Sequence, residues 1–336
     1  MTMSSSPLYG AAVVLADLDG VIYRGPAAIQ YAVESMNAIN ESVRVGYITN
    51  NASRTDVTVA AHLATLGLQV EPGDVVTSSQ AAVRLLAGLV PAASTILVVG
   101  GDGLTNEVER AGFTVTRSAD DDPAAVIQGF APEVGWLQLA EAAFALKPRA
   151  SAEIPWVATN TDWTIPQARG TAPGNGTLVS AVHTAVGRLP IVAGKPEVAI
   201  FEEAFTRFGS REAVMIGDRL DTDILGANRA GIRSIFVLTG IDQAKQLLAA
   251  VPNERPTYIL DDLRSMHEPY PPTEVREKRG AVLTSVADAT VKRTGLTLSV
   301  ERGSGINLLR AGAAAIWSAP AAIYALDVPA ELYRDR

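Results

Sequence analysis

Acidic and polar residues directly follow or close three short apolar runs of this 336-residue chain. Asp17 and Asp19 come after the run AVVLA, and Thr49 closes the run VRVGYIT. Asp218 follows the run AVMI after one glycine. Short apolar runs of this kind are typical of strands that are buried on both faces of a parallel sheet. Because ligands bind beyond the carboxyl ends of such strands, we expect these polar side chains to share one site.

The residue types in this set suit the transfer of a phosphoryl group. Neighbouring carboxylates repel one another, and a Mg²⁺ ion between Asp17 and Asp218 would relieve that repulsion with the oxygen ligands it prefers. Asp17 is the candidate nucleophile that forms an aspartyl-phosphate, and Asp19 is the candidate acid and base for the leaving alkoxide and for water. The hydroxyl of Thr49 and the ammonium of Lys195, which precedes a predicted helix, would bind phosphoryl oxygens.

Further residues near these groups are predicted to support the same chemistry. Asp223, five residues after Asp218, is predicted to orient Lys195 or a metal-bound water. The residues predicted to bind phosphate or substrate are Gly20, Asn50, Asn51, Asp162 and Trp163. The last two lie in a turn-rich segment, where the alternative interpretation is that they anchor a loop.

Strand and helix patterns alternate before residue 92 and again after residue 188, which indicates a parallel sheet with helices on both faces. Strands are predicted at residues 12–16, 43–49, 213–216, 232–238 and 257–260. Ser53 is predicted to cap a helix that has Asp56 in its first turn. The predicted fold class is therefore α/β, with a Rossmann-like doubly wound parallel sheet core formed by residues 10–91 and 189–266.

Two further segments accompany this core. Residues 92–188 interrupt the pattern and are predicted to form an inserted α/β cap domain. The linker PYPP precedes residues 273–336, which are predicted to form a small α/β extension with one strand at 296–300 and one helix at 306–318. The extension is interpreted as a module that packs on the core or forms a dimer contact, and the alternative is a fragment of an acyltransferase-like fold.

The amino-acid composition excludes several kinds of binding partner and of functional site. The net charge of −8 argues against a broad electrostatic grip on nucleic acid, and the absence of cysteine excludes disulfides, thiolate nucleophiles and cysteine-based zinc sites. The N-terminus does not resemble a signal peptide, and the most apolar stretch, 308–326, contains Arg310, Ser318 and Pro320. We therefore expect a cytoplasmic enzyme with a small-molecule substrate, no nucleic-acid partner and no membrane span. A homodimer is compatible with this composition.

Four segments carry a specific resemblance: DLDGVIYRG, ITNNASR, AGKPEVAIFEEA and MIGDRLDTDILGANRAG. In order and spacing they resemble the four motifs of the haloacid-dehalogenase superfamily, and in particular its NagD-like branch with a type IIA cap between the second and third motifs. The resemblance, which covers about residues 10–262, implies that Asp17 is the nucleophile and Asp19 the acid and base. It also implies that Thr49 and Lys195 bind phosphate. Mg²⁺ would be held by Asp17, Asp218 and the backbone carbonyl of Asp19.

Within this branch the chain resembles bacterial glycerol-3-phosphate phosphatases, so glycerol 3-phosphate is the first expected substrate of a Mg²⁺-dependent phosphomonoester hydrolase. The alternatives are phosphatases of nitrophenyl phosphate, pyridoxal phosphate or phosphoglycolate, and the choice rests on overall resemblance. A phosphotransferase on the same scaffold and a non-catalytic assembly protein are the other classes considered. Asp19, which can activate water, argues against the first, and the complete set of motif residues argues against the second.

Overall fold

A computed structural model of the protein describes residues 5–148, 153–167 and 169–334. The chain forms two compact units. The first contains Ala28–Val43 and the described parts of Met1–Arg24 and Glu212–Arg336. The second contains Gly25–Ala27 and the described part of Arg44–Arg211. The division of the sequence into a core, an inserted cap and an extension stays a prediction.

Four parallel strands lie side by side in the first unit, in the order Tyr258–Leu260, Arg233–Val237, Ala213–Gly217 and Val13–Ala16. Their register pairs Val13 with Ala213 and Val214 with Arg233. Every residue of the strands Val13–Ala16 and Ala213–Gly217 is buried, as expected of apolar strands that are covered on both faces. The α/β class with parallel strands, predicted from the sequence, is confirmed.

The helices of the first unit are Ala32–Asn40, Leu225–Arg229, Ala244–Leu248 and Gly305–Trp317. Its 3₁₀ turns are Pro252–Glu254, Leu263–Ser265, Ile323–Ala325 and Ala330–Leu332. Tyr23–Arg24 is a short strand of the first unit, and the short strand Ala27–Ala28 has its first residue in the second unit. A π-helical turn, Leu220–Ile224, directly precedes Leu225–Arg229 and carries Asp223. Wide turns of this kind recur at functional sites.

The C-terminal segment forms a four-stranded antiparallel sheet instead of the one strand predicted from the sequence. Its strands are Thr273–Lys278, Ala281–Val286, Ala289–Thr294 and Thr297–Arg302. The prediction was wrong because the strand sequences TEVREK and ATVKRT carry many charged residues and no apolar run. A two-residue turn joins the first pair, and both Arg279 and Gly280 adopt the positive φ angles that tight hairpin turns need.

This sheet and the helix Gly305–Trp317 share a hydrophobic core with the parallel strands of the first unit. Leu309 and Ile316 of the helix are buried in one cluster with Leu220 and Ile224, which begin and end the π-helical turn. The C-terminal segment therefore packs on the parallel strands within the first unit.

Arg310 adds a polar contact inside this packed region. Its Nε donates a hydrogen bond to the carbonyl of Ile259 at 2.9 Å, and its guanidinium lies over the Tyr270 ring, 4.4 Å from the centroid. The Tyr270 hydroxyl accepts a hydrogen bond from the Ile259 N–H at 3.1 Å. Burial lowers the pKa of Arg310 below its usual range and raises that of Tyr270. The helix is thus attached to the edge strand Tyr258–Leu260 by directional bonds as well as by apolar contact.

Five parallel strands form the larger sheet of the second unit, in the order Ile191–Val192, Trp156–Ala158, Ala125–Gln128, Thr95–Val99 and Thr114–Thr116. Its other strands are the parallel pair Arg44–Thr49 and Val75–Thr77 and the antiparallel pair Thr164–Gln167 and Gly170–Pro173. Its helices are Asp56–Thr65, Ser78–Ala87, Asp102–Arg110, Trp136–Ala145, Asn175–Val186 and Val198–Phe208. Its 3₁₀ turns are Pro72–Asp74 and Ala119–Asp121. Across the described ranges of both units, no helix combines the length and the apolar character needed to cross a membrane.

The helix Asp56–Thr65 has a different cap from the predicted one. Thr55 is the N-cap and accepts a hydrogen bond from the Thr58 N–H at 3.2 Å, and Asp56 lies in the first turn as predicted. Ser53 instead donates its N–H and its hydroxyl to Asn51 Oδ1, at 2.9 and 2.8 Å. The prediction of Ser53 as the cap was wrong because this local turn competes for its polar groups.

Candidate active site

Two aspartates of the first unit extend from neighbouring parallel strands. Asp17 follows Val13–Ala16, Asp218 follows Ala213–Gly217, and the register pairs Ala16 with Ile216. The Asp17 N–H donates to the Ile216 carbonyl at 2.9 Å, so the pairing continues up to the first aspartate. The carboxyl ends of the two strands therefore bring Asp17 and Asp218 together, as the sequence predicts.

Asp17, Asp218 and Asp223 form a group in which one carboxylate oxygen of each lies within 4.8 Å of those of the other two. Asp218 and Asp223 are 0% and 1% exposed, and Asp17 is half-buried. Three buried or half-buried carboxylates at this separation repel one another strongly unless a cation lies among them. The donors are all hard oxygens, which suits Mg²⁺ and gives no support to a site for a soft metal.

Backbone N–H groups hold two of these carboxylates in place. Asp218 Oδ2 accepts from the Ile241 N–H at 2.6 Å. Asp223 Oδ2 accepts from the N–H groups of Asp218 and Arg219 at 3.2 and 3.1 Å. Asp223 thus orients the chain that carries Asp218, and it also lies within the group of three. Its predicted action on Lys195 or on a water molecule stays a prediction.

Asp19 lies outside this carboxylate group. The strand ends at Ala16, and the chain turns so that Asp19 is exposed and accepts a hydrogen bond from the Tyr23 hydroxyl at 3.4 Å. Among the described residues, the candidate metal-binding group includes the carboxylates of the three other aspartates and not that of Asp19. The metal role implied for Asp19 concerns its backbone carbonyl and stays a prediction.

Gly20 has the conformation and the surroundings that only glycine tolerates. Its φ is +86°, and an added Cβ would overlap the Asp218 carboxylate. The Thr239 hydroxyl donates to the Gly20 carbonyl at 2.7 Å. Gly20 therefore allows the chain to pass directly beside Asp218, which is a packing role. Its predicted binding of phosphate or substrate stays a prediction.

The loop after the strand Arg233–Val237 contributes residues that sequence reasoning missed. An added Cβ at Gly240 would overlap the Asp218 carboxylate, and the neighbouring Ile241 N–H is the donor to that carboxylate. Asp242 Oδ2 accepts from the Leu220 N–H at 2.8 Å, and burial raises the pKa of the Asp242 carboxyl. The sequence contained a sign of this loop. Gly240 comes shortly after the apolar run IFVL, in a way similar to Gly217 after the run AVMI.

Thr49, Asn51 and Lys195 lie in the second unit. Thr49 is buried at the end of Arg44–Thr49, and its Oγ1 accepts from the Asn51 N–H at 3.1 Å, which leaves the hydroxyl proton for another acceptor. Lys195 is only 3% exposed, and its Nζ donates to the Ile48 carbonyl at 3.3 Å. The structure thus directs the Lys195 ammonium to the strand that ends in Thr49.

The other predicted substrate residues of this unit differ in their surroundings. Asn50 contacts both Asp162 and Lys195 through its side chain. Trp163 is 66% exposed, and its carbonyl accepts from the Thr177 hydroxyl at 2.8 Å. The predicted binding of phosphate or substrate by these residues stays a prediction.

Comparison with known proteins identifies the family. Residues 14–114 match the model of the haloacid dehalogenase-like hydrolases, and residues 192–266 match a HAD-hydrolase-like model. Over 318 residues the chain is 43% identical to the D-glycerol 3-phosphate phosphatase of Mycobacterium tuberculosis (strain H37Rv), which covers 92% of this chain and 86% of that protein. The chain belongs to the haloacid dehalogenase-like hydrolases.

Solved structures agree with this assignment. This hydrolase superposes on the glycerol phosphate phosphatase of Mycobacterium tuberculosis in complex with magnesium with a TM-score of 0.81, at 41% identity, over 96% of this chain and 94% of that one. The p-nitrophenyl phosphatase of Archaeoglobus fulgidus gives a TM-score of 0.70 at 25% identity, over 77% of this chain and 98% of that one. The resemblance to the superfamily inferred from the four motifs is confirmed.

Gly240→Ala is expected to lower the kcat/KM of this hydrolase by about 100-fold, since a displacement of about 1 Å in a reacting group has effects of that size. The physical reason is that the added Cβ would displace the Asp218 carboxylate. We also expect a higher Mg²⁺ concentration for half-maximal activity, and a Mg²⁺ titration of the initial rate measures both quantities.

Gly73→Ala is the matched control, because no atom lies within 4 Å of an added Cβ there and its φ is not in the left-handed region. Its activity and its Mg²⁺ response should equal those of the unaltered protein. A Gly240→Ala protein with an unaltered Mg²⁺ response would contradict the packing role of Gly240.

Proposed function

We propose that this hydrolase cleaves glycerol 3-phosphate to glycerol and phosphate in a Mg²⁺-dependent reaction. The observation that carries the substrate is the 43% identity, over 92% of the chain, to a D-glycerol 3-phosphate phosphatase. The three-carboxylate group supports the metal dependence, because its oxygen donors match the preference of Mg²⁺. A structure of the related glycerol phosphate phosphatase contains magnesium.

The metal would be held by Asp17, Asp218 and the backbone carbonyl of Asp19, with Asp223 supporting Asp218. Bound Mg²⁺ supplies positive charge that offsets the negative charge of the phosphate group. Asp223 lies close enough to the other two carboxylates to supply a further oxygen.

The chemical steps belong to two aspartates. A carboxylate oxygen of Asp17 attacks phosphorus and forms an aspartyl-phosphate while the bond from phosphorus to the glycerol oxygen breaks. Asp19, which is exposed, gives its proton to the leaving alkoxide. In the second half, Asp19 takes a proton from water, the water oxygen attacks phosphorus, and Asp17 is released. Thr49 and Lys195 bind the phosphoryl oxygens and stabilise their charge.

A phosphate-release screen tests this proposal. We expect kcat/KM for glycerol 3-phosphate to exceed that for other small phosphomonoesters by about 100-fold or more, a difference of about 2.7 kcal/mol in transition-state binding. Chelation of Mg²⁺ should abolish release from every substrate. Equal, weak activity on all substrates would reject glycerol 3-phosphate, and full activity in chelator would reject the metal dependence.

A broad-specificity phosphatase is the second candidate function. The likeness to the p-nitrophenyl phosphatase supports it, although that match leaves almost a quarter of this chain uncovered. The same screen separates the two, because comparable kcat/KM values for nitrophenyl, pyridoxal and glycolate phosphates would favour this candidate. Phosphate release that falls short of substrate loss, with transfer to an added alcohol, would indicate a phosphotransferase.

The kind of substrate, the cellular location and the oligomeric state are part of the proposed function. A small-molecule substrate suits a chain of net charge −8 better than a nucleic acid does. The cytoplasmic location and the homodimer remain predictions from the sequence. Fractionation of cells that express the protein and light scattering of the purified protein test them.

A further inference from the structure

The side chain of Asn50 bonds to both backbone groups of Lys195. Its Oδ1 accepts from the Lys195 N–H at 2.8 Å, and its Nδ2 donates to the Lys195 carbonyl at 3.0 Å. This pair of bonds fixes the position and the orientation of one peptide segment, as a neighbouring strand would. It joins residues that are 145 positions apart in the sequence.

The same amide also bonds to the carboxylate of Asp162. Asn50 Nδ2 lies 3.3 and 3.2 Å from the two carboxylate oxygens, and a hydrogen bond to a charged acceptor is stronger than one to a neutral acceptor. An amide nitrogen has two N–H donors, so Lys195 and Asp162 use both. Both side-chain donors of Asn50 are therefore engaged by the protein itself.

The surroundings hold Asn50 in this arrangement. Asn160 Nδ2 donates to the Asn50 carbonyl at 2.7 Å, and Asn160 Oδ1 accepts from the Asp162 N–H at 3.1 Å. An added Cβ at Gly194 would lie 2.6 Å from Asn50 Oδ1. The backbone of Asn50 and that of Asp162 are thus tied to one side chain, and the residue before Lys195 must be small.

We propose that Asn50 is a positioning residue that sets the backbone of Lys195 and couples it to Asp162. The proposal rests on the proposed function, in which the ammonium of Lys195 binds the phosphoryl group. One residue, Trp163, separates Asp162 from the strand Thr164–Gln167, which pairs with Gly170–Pro173, so a shift in that strand pair reaches Lys195 through a single amide. Asn50 acts through Lys195 and is not a ligand of the substrate.

Asn50→Asp tests this directly, because it keeps the size of the side chain and the acceptor for the Lys195 N–H. It removes both donors and places a second carboxylate beside Asp162. We expect kcat to fall by about 100-fold and KM to rise by about 10-fold, since a displaced Lys195 loses stabilisation of the transition state and, to a smaller extent, of the bound phosphate group. A rise in KM alone would mark Asn50 as a substrate ligand and overturn the proposal, as would unaltered kinetics.

The double variant Asn50→Asp with Asp162→Asn restores the hydrogen bond between the two positions in the opposite direction. The amide at position 162 now donates, and the carboxylate at position 50 accepts. The double variant should recover about 10-fold in kcat over Asn50→Asp, because the two carboxylates no longer face each other. It should stay below the unaltered protein, because the Lys195 carbonyl still lacks its donor. A double variant as inactive as Asn50→Asp would overturn the coupling to Asp162, and one equal to the unaltered protein would overturn the role of the Lys195 contact.

Asn228→Asp is the matched control. Its Nδ2 also donates to two backbone carbonyls, those of Asn253 and Arg255 at 2.8 and 3.1 Å, and it lies outside the candidate site. It should lower the unfolding temperature by an amount similar to Asn50→Asp and leave kcat unaltered. A parallel loss of kcat in both variants would show that Asn50 has only a structural role.

A binding measurement separates failure of this proposal from failure of the proposed function. Calorimetry with Mg²⁺ and inorganic phosphate should show at least about a 10-fold weaker Kd for Asn50→Asp and an unaltered Kd for Asn228→Asp. This comparison needs no turnover. Inactivity of the unaltered protein on glycerol 3-phosphate would reject the function, whereas equal phosphate affinity of Asn50→Asp and the unaltered protein would reject the positioning role.

Discussion

Asp17→Asn is expected to reduce kcat for every phosphomonoester by at least about 10⁴-fold, the scale observed when a covalent nucleophile is removed. The amide keeps the shape of the side chain but is a poor nucleophile towards phosphorus. The substitution also removes one of three carboxylates whose oxygens lie within 4.8 Å. In chelator we therefore expect the unfolding temperature to be equal or higher, because repulsion within the group is reduced.

Asp261→Asn is the control for this variant. Asp261 also follows a parallel strand of the first unit, Tyr258–Leu260, but it is exposed and lies outside the three-carboxylate group. Phosphate release with saturating Mg²⁺ should be unaltered in this control. Residual turnover above about 0.01% in Asp17→Asn, after contamination is excluded by active-site titration, would contradict the nucleophile assignment.

Removal of residues 273–336 is expected to prevent stable folding. The segment contributes Leu309, Ile316 and Leu332 to a core that it shares with Leu220 and Ile224. Each large apolar side chain that loses such burial costs about 1.5–3 kcal/mol, and the total stability of a domain is only about 5–15 kcal/mol. We expect the truncated chain to be insoluble or to lack a cooperative unfolding transition, as measured by calorimetry.

Leu309→Ala gives a graded form of the same test. The side chain is fully buried, so its truncation should lower the free energy of unfolding by about 2–5 kcal/mol. Tyr324→Ala is the control within the same segment, because Tyr324 is 92% exposed and should change stability by less than about 0.5 kcal/mol. If the protein without residues 273–336 folds and turns over substrate normally, the extension is an independent module.

The location of the acidic residues was predictable because it depends on local pattern. Asp17 and Asp218 follow apolar runs in the chain, and parallel pairing brings the ends of those runs together. The strand predictions at 12–16 and 213–216 therefore led to the proximity of Asp17 and Asp218, of which one carboxylate oxygen each lies within 4.8 Å of the other. The exposed position of Asp19 did not follow from this pattern, because the strand stops at Ala16 and the chain turns.

The C-terminal extension shows where local pattern fails. Alternating polar strands such as TEVREK carry no apolar run, and only hydrogen bonds to neighbouring strands identify them as part of a sheet. Their register is set by pairing with neighbouring strands of the same sheet. The sheet and the helix Gly305–Trp317 share a buried cluster with Leu220, Ile224 and other apolar residues of the first unit. Tertiary structure therefore decided both the number of strands and the core against which they pack.

The sequence by itself determined the family, the α/β class and the residues that are candidates for the chemistry, because motifs and apolar runs are properties of contiguous residues. Only the tertiary structure decided how those residues are held. The Ile241 N–H reaches Asp218 across 23 positions, and Asn50 reaches Lys195 across 145. Such contacts depend on where folded elements pack and not on the spacing of residues along the chain, so no local pattern encodes them.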